Sequence, residues 1–508
     1  MTLTGKNLIA GQWIGETTNG FVAIDAALNL PMTIKFADAT KEEIEQAITS
    51  ANHAFASYSQ LAAVERAKFL RTIGEQIMAL GDELITIASQ ETGLPQARIQ
   101  GERGRTVGQL GLFANLLEQG EYQGVIDLAD AQREPLPKPD TRLGYLPLGV
   151  VGVFAASNFP LAFSTAGGDT ASALAAGCPV VMKAHAAHPG TAELVARAIS
   201  NALTLCELDQ GVFSLIQGKN YDIASQIVTH PLIKAVGFTG SERVGMILQQ
   251  QINQRAEPIP FYGELGSVNP QFIMPNKLQQ DAESLGQGLV ASLLMGQGQF
   301  CTSPGIWVYV ADSHSDAFER AAIAAVKESS AGIMLTPAIA ATYQAAVKEW
   351  QSIANVTLLA QGQAAEATHL CQAALFATDL ATFKANKALH EEVFGACALL
   401  VRCENHAEML AFIALLKGNL TASIHATDAD LAESRSVAIA VAHKVGRLIY
   451  NQMPTGVEVC ASMNHGGPFP ASTDLRSTSV GSEAIKRFQR PICYQNMPNQ
   501  LLPMLLRD

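Results

Sequence analysis

Charge is scarce in this chain, and what there is has the wrong sign for several kinds of partner. Charged residues make up 16% of the 508 positions and the formal net charge is −12, with no run of lysines or arginines. A phosphate backbone or an anionic membrane surface needs concentrated positive charge, so neither nucleic acid nor lipid is expected as a partner. Long apolar runs are missing too. The longest, PLGVVGVFAASNFPLAF at 147–163, is interrupted by prolines and an Asn, falls short of the roughly 20 residues of a spanning helix, and reads as a buried strand entering a loop. The first thirty residues lack a basic start followed by an apolar core, so no secretory signal is expected. Eight cysteines (178, 206, 301, 371, 397, 403, 460 and 493) stand without CxxC pairs or His/Cys spacing of the metal-binding kind. Free thiols in a reducing cytoplasm are expected, with neither disulfide nor metal. Nor does a G-x-G-x-x-G follow any predicted strand, so the usual dinucleotide fingerprint is absent.

What is present is apolar and glycine-rich: 48% hydrophobic residues and 41 glycines, the composition of a large α/β enzyme rather than of a disordered chain. The length exceeds what one core supports and predicts two large domains with a smaller element. Apolar residues at three- and four-residue spacing predict helices from about Lys41 to Gln119. Two extended pieces around a Pro-rich turn between Glu121 and Gly149 predict a protruding hairpin. Strand and helix then alternate through GVVGVFAA, CPVVMKA, GVFSLIQG and IKAVGFTG, which predicts a parallel, doubly wound sheet. A second α/β block is expected to about Gly467, and after Glu483 an extended tail suited to pairing with the hairpin of another subunit.

Five segments can carry chemistry. GQGQFCTSPG at 296–305 places Cys301 among small residues before a proline, in a turn where its sulfur can meet a substrate. FYGELGSVNP at 261–270 places Glu264 in a Gly-flanked turn, where a carboxylate can activate water; an ordinary solvated charge is the alternative. AASNFPLAF at 155–163 puts Asn158 just past a strand end, with an amide able to donate to an oxyanion or simply to form the turn. VVMKAHAAHPGTAEL at 180–194 ends its strand at Lys183, within reach of ribose or phosphate if it is not a surface lysine. GFTGSERVG at 237–245 leads through Gly240 and Ser241 into a helix whose N-terminus suits a pyrophosphate.

In their order, and over nearly the whole chain, these segments resemble the aldehyde dehydrogenase superfamily. The resemblance implies a modified Rossmann cofactor domain without the glycine fingerprint (1–119 and 147–260), an α/β catalytic domain (261–467) and a small β oligomerisation arm (120–146 and 484–508) in a homodimer or homotetramer. It implies Cys301 as nucleophile, Glu264 as general base, and an oxyanion hole from the Asn158 amide and the Cys301 backbone N–H. A small-molecule aldehyde is then the substrate and water the second one. Lys183, Gly240 and Ser241 resemble cofactor contacts, and EEVFGAC at 391–397 resembles a motif whose Glu392 and Phe394 would hold the nicotinamide ribose; Ala396 and Cys397 depart from its usual continuation. A thiol-accepting, CoA-acylating relative is the enzyme rival, against which Glu264 counts; a catalytically silent member of the fold is the other.

A narrower resemblance lies in KAHAAHPGT, GELGSVNP, GQFCTSPG and PTGVEVCASMNHGGPFPAS at 454–472. They are similar to the branch containing α-ketoglutaric semialdehyde (2,5-dioxopentanoate) dehydrogenases and an NADP-dependent fatty aldehyde dehydrogenase. A short aldehyde with a distal carboxylate is therefore expected, a long-chain fatty aldehyde being the alternative, with Phe159 and Arg105 lining its site; Arg103 and Arg105 fall on different helix faces, so at most one can serve, and an ordinary exposed arginine is the other reading of Arg105. Ala186 stands where many NAD-preferring relatives carry a Glu for the ribose hydroxyls. NADP is therefore expected, with NAD possible, and Lys183, Lys219 and more weakly His185 and His188 as sources of charge for the 2′-phosphate.

Overall fold

A computed structural model describes residues 3–120, 124–365 and 367–508. No helix among them is long and apolar enough to cross a membrane. The amphipathic segments fold as expected, into helices Lys41–Tyr58, Ala63–Ala79, Gly81–Thr92 and Gln96–Gln119. Thr40 and Glu43 close the first of them with a reciprocal capping box. The αL glycines Gly93 and Gly120 end the last two.

The four anticipated strands form one parallel sheet, in the spatial order Ile233–Thr239, Val150–Phe154, Val180–Lys183, Phe213–Ile216. Val150–Phe154 is buried along its whole length, as a strand covered by helices on both faces must be. Phe261–Glu264 adds a further parallel strand beside Ile233–Thr239. On the other side the N-terminal hairpin Asn7–Ile9 and Gln12–Ile14 pairs antiparallel. The chain thus leaves the first sheet after Glu264 and enters the second at Gln271.

That second sheet runs in the order Thr357–Gln361, Ala374–Asp379, Cys397–Cys403, Ile306–Val310, Gln271–Ile273, Asn419–His425, Val445–Tyr450, parallel except at its first pair. A three-stranded sheet joins Val125–Asp127, Thr141–Pro147 and Gln489–Gln495. Residues 121–123, at the start of the expected hairpin, lie outside the described residues. Here one expectation is corrected: the C-terminal strand pairs antiparallel with the hairpin of its own chain, from Gln489 opposite Pro147 to Gln495 opposite Thr141.

The tail is also tied inward. Arg487 forms a buried ion pair with Asp169 at 2.5 Å, and Gly237 makes room for it, since a Cβ there would stand 2.7 Å from Asp169 Oδ2. All eight cysteines are free.

Candidate active site

Cys301 follows a short irregular turn, Met295–Gly298, in which Gly296, Gln297 and Gly298 all have positive φ. Gly298 is obligatory: a Cβ there would lie 2.3 Å from the Gly395 carbonyl. Side-chain amides fix the loop. Asn269 Nδ2 donates to the carbonyls of Cys301 (2.8 Å) and Ser303 (2.9 Å), and Gln299 accepts from the Leu335 N–H at 2.9 Å. Asn158 Nδ2 donates to the Gln299 carbonyl at 2.9 Å. That uses one of the two N–H bonds of the Asn158 amide and leaves one for a ligand.

Glu264 ends its strand at the same place. It bridges to Ser472 and its second carboxylate oxygen accepts from the Ser479 hydroxyl. Between Glu264 and Cys301 stands His465, which the sequence reading did not single out: its Nε2 lies 3.5 Å from Cys301 Sγ and 2.9 Å from Glu264 Oε1. Burial opposes ionisation of Glu264, but the adjacent His465 imidazole, then the Ser479 hydroxyl and the Arg487 guanidinium, more than offset it and hold the carboxyl below its usual range. For Cys301, burial and then the negative charges of Glu264 and Glu392 push the thiol well above its usual range, with Arg105 pulling the other way. The resting sulfur is therefore a thiol, and needs a base to become a nucleophile.

One face of helix Gln96–Gln119 supplies cations. Arg98 and Arg105 lie two turns apart and so on the same side. Arg98, also missed in the sequence reading, donates to the Asn158 carbonyl at 2.9 Å and covers the rings of Phe159 (4.9 Å) and Phe300 (4.4 Å). Arg105 lies over Phe163 at 5.3 Å, and its Nη1 is buried without a hydrogen-bond partner among the described residues. Burial lowers the pKa of Arg105, against the charges of Glu102, Cys301 and Glu264. Arg103 turns away to the Gly81 carbonyl at 2.9 Å.

The residues expected at a cofactor fall into two groups. Ser241, Glu392 and Phe394 line one open cleft together with Gly266 and Ser267. Ser241 caps helix Glu242–Asn253, accepting from the Val244 N–H. At Gly240 a Cβ would come within 2.7 Å of the Phe238 ring, so this turn approaches closely only as glycine. Glu392 is pushed up to about 8 by burial; a Cβ on Gly266 would stand 2.9 Å from its carboxylate.

Lys183, Ala186 and Lys219 form the second group, at the strand ends of the first sheet. Lys183 Nζ donates to the carbonyls of Ala184 and Gly218, both at 2.6 Å. Burial lowers its pKa to about 8, with Asp38 the opposing charge. Ala186 is half-buried in the following turn, and Lys219 is exposed, its backbone N–H held by Asp38. The two histidines do not provide charge. His188 is buried against the Ala156 carbonyl at 2.8 Å, and His185, stacked on it, is brought down to about 3 by burial. Both are neutral at physiological pH.

Comparison with known proteins identifies the family. The profile of the aldehyde dehydrogenase family matches residues 13–488. The chain is 44% identical to α-ketoglutaric semialdehyde dehydrogenase 2 of Azospirillum brasilense, covering 100% of this chain and 97% of that protein. It is 43% identical to an α-ketoglutaric semialdehyde dehydrogenase of Acinetobacter baylyi, over 99% and 96%. Among solved structures, betaine aldehyde dehydrogenase of Staphylococcus aureus in complex with NAD+ superposes with a TM-score of 0.84 over 97% of this chain and 95% of that one, at 20% identity. The chain belongs to the aldehyde dehydrogenase family, whose members oxidise aldehydes with NAD(P).

Proposed function

We propose that the chain oxidises 2,5-dioxopentanoate to 2-oxoglutarate, with Cys301 as nucleophile and NADP as the preferred cofactor. The observation that carries the substrate reading is Arg105: a half-buried arginine whose Nη1 is buried without a hydrogen-bond partner among the described residues, and whose charge is felt at Cys301. An unpaired buried donor is costly, and a carboxylate at the far end of a short aldehyde relieves that cost. An alkyl chain does not. The names of the two relatives point to the same substrate.

The cycle follows from the side chains. The Cys301 thiol passes its proton to the His465–Glu264 pair as sulfur bonds to the aldehyde carbon. The resulting oxyanion is received by the free Asn158 N–H and the Cys301 backbone N–H, and losing one such donor typically costs about 10²–10³ in rate. Oxidation of the Cys301 adduct to a thioester needs a hydride acceptor, which a nicotinamide would supply when bound. Glu264 then takes the proton of the water that releases the acid.

The residues present fit such a cofactor. The cap at Ser241 and the N–H groups of its helix suit a pyrophosphate, Lys183 suits ribose or phosphate, and Glu392 with Phe394 suits the nicotinamide ribose. In this reading the first sheet with its helices binds cofactor, the second presents Cys301, and the β arm assembles a homodimer or homotetramer. Val125, Ile126, Leu128 and Leu136 are exposed on that arm, which favours a partner surface. A cytoplasmic location fits the free cysteines.

The test compares kcat/KM for 2,5-dioxopentanoate and for an alkanal of similar length in wild type and Arg105→Gln. Loss of a charged partner is expected to cost about 10²-fold for the dicarbonyl acid, from roughly 2–3 kcal/mol, and little for the alkanal. A wild type that prefers long alkanals, or equal losses on both, overturns the assignment.

Cofactor choice has its own measurement. Ala186 offers neither repulsion to a 2′-phosphate nor the carboxylate that would accept from both ribose hydroxyls. NADP is expected to serve at least as well as NAD, and Ala186→Glu to move the ratio of kcat/KM values toward NAD. A tenfold wild-type preference for NAD, about 1.4 kcal/mol, refutes it.

A further inference from the structure

No metal-ligand spacing is visible in the sequence, yet the fold brings a thiol, an imidazole and a carboxylate to one point. The ligand atoms of Glu264, Cys301 and His465 all lie within 4.8 Å of one another. We propose that Cys301 Sγ, His465 Nε2 and Glu264 Oε1 form a three-ligand site for a borderline-soft divalent cation, Zn2+ above all, and that its occupation reversibly blocks the nucleophile.

With Zn–S near 2.3 Å and Zn–N near 2.0–2.1 Å, tetrahedral coordination sets sulfur and nitrogen about 3.5 Å apart. The separation between Cys301 Sγ and His465 Nε2 is 3.5 Å. His465 Nε2 and Glu264 Oε1, at 2.9 Å, need to open by roughly half an ångström to reach the tetrahedral spacing. Glu264 also holds an unspent acceptor. Glu264 Oε1 is buried in a residue only 5% exposed, and despite the nearby imidazole it lacks a well-aligned hydrogen bond among the described residues. A buried carboxylate oxygen and an imidazole nitrogen already 2.9 Å apart suit two ligands of one ion. Ser479 anchors the other oxygen of Glu264, the outer support that orients a carboxylate ligand.

Charge and support set the strength. A thiolate and a carboxylate together neutralise a dication, the thiol releasing its proton to solvent as the metal–sulfur bond forms. Arg105 opposes a second cation, and His465 Nδ1 has no hydrogen-bond partner among the described residues. The site is therefore one of reversible inhibition rather than a resident structural metal. Its fourth position is left to water, as in three-ligand zinc sites generally. Binding needs only the three donor atoms, whereas the block of turnover rests on the reading of Cys301 as nucleophile.

The test uses the full-length enzyme without substrate, with Co2+ as spectroscopic probe and Zn2+ as competitor. A sulfur-to-cobalt charge-transfer band with the strong visible absorption of four-coordinate cobalt is expected, displaced by Zn2+, absent in Cys301→Ala, and with affinity reduced at least tenfold in His465→Ala. The exposed Cys493 is the competing thiol, so a band that survives in Cys301→Ala overturns the proposal, as does unchanged affinity in His465→Ala or the absence of any band. Wild-type labelling guards against variants that fail to fold: Zn2+ is expected to slow iodoacetamide alkylation of Cys301, read by peptide mass, at least tenfold, and undiminished labelling overturns the site. Zn2+ bound at these ligands with turnover unaffected overturns the block together with the nucleophile assignment. Failure to bind leaves that assignment standing.

Discussion

Cys301→Ala is expected to lower aldehyde oxidation by more than about a thousandfold, leaving the fold and cofactor binding intact. The size follows from the route: without sulfur there is no covalent intermediate, and what remains is the help that an oxyanion hole and bound neighbours give to an uncatalysed transfer. Preservation of the fold follows from how the loop is held. The bonds from Asn269 go to the carbonyls of Cys301 and Ser303, and Gln299 is anchored through Leu335; none of them uses the sulfur, whose hydrogen-bond neighbour is His465. Appearance of reduced nicotinamide with a good aldehyde gives the rate, while circular dichroism and cofactor titration give the controls. Residual turnover above about a thousandth of wild type would remove Cys301 from the nucleophile's place.

Cys301, Glu264 and Asn158 were legible because each is framed locally. Glycines and a proline flank the first two, and the third follows an apolar strand, so a turn at a strand end is written beside each residue. Adding the order of these segments along the chain turned three weak signals into one family. His465, Ser479, Asn269 and Arg98 were not legible in the same way. His465 is brought to Cys301 only when the segment after Val445–Tyr450 folds back across the end of the first sheet, through Leu265 N–H to the Ala471 carbonyl. Arg98 had a usable signal, its two-turn spacing from Arg105.

The same distinction runs through the fold. Local periodicity marked the helices and the fully apolar strands, whereas pairing between distant segments left no local trace. That is why neither the N-terminal hairpin at the sheet edge nor the pairing of the C-terminal strand with the hairpin of its own chain is written in the sequence. A strand's sequence records that one of its faces is buried, but its open edge can be filled by any extended segment of suitable length.

Glu264→Gln is expected to keep a single burst of reduced cofactor, about one equivalent per active site, and to lose roughly 10²–10³ of steady-state turnover. Acylation needs the sulfur, the Asn158 amide and a proton acceptor at the sulfur, and His465 stays beside Cys301 in this variant. The water step needs a base, and an amide has none to offer. Glutamine keeps the shape and an oxygen for the Ser479 hydroxyl, so the pocket is not opened. Its neutrality also acts on the sulfur in a known direction: the negative charge of Glu264 is among the causes holding the Cys301 thiol up, so removing it favours the thiolate and quickens alkylation by iodoacetamide. Stopped-flow absorbance separates the two phases, and alkylation rates give an independent check on the charge. A burst that shrinks by the same factor as the steady state would move Glu264 from the hydrolytic half of the cycle to the step that activates Cys301, leaving water activation to His465.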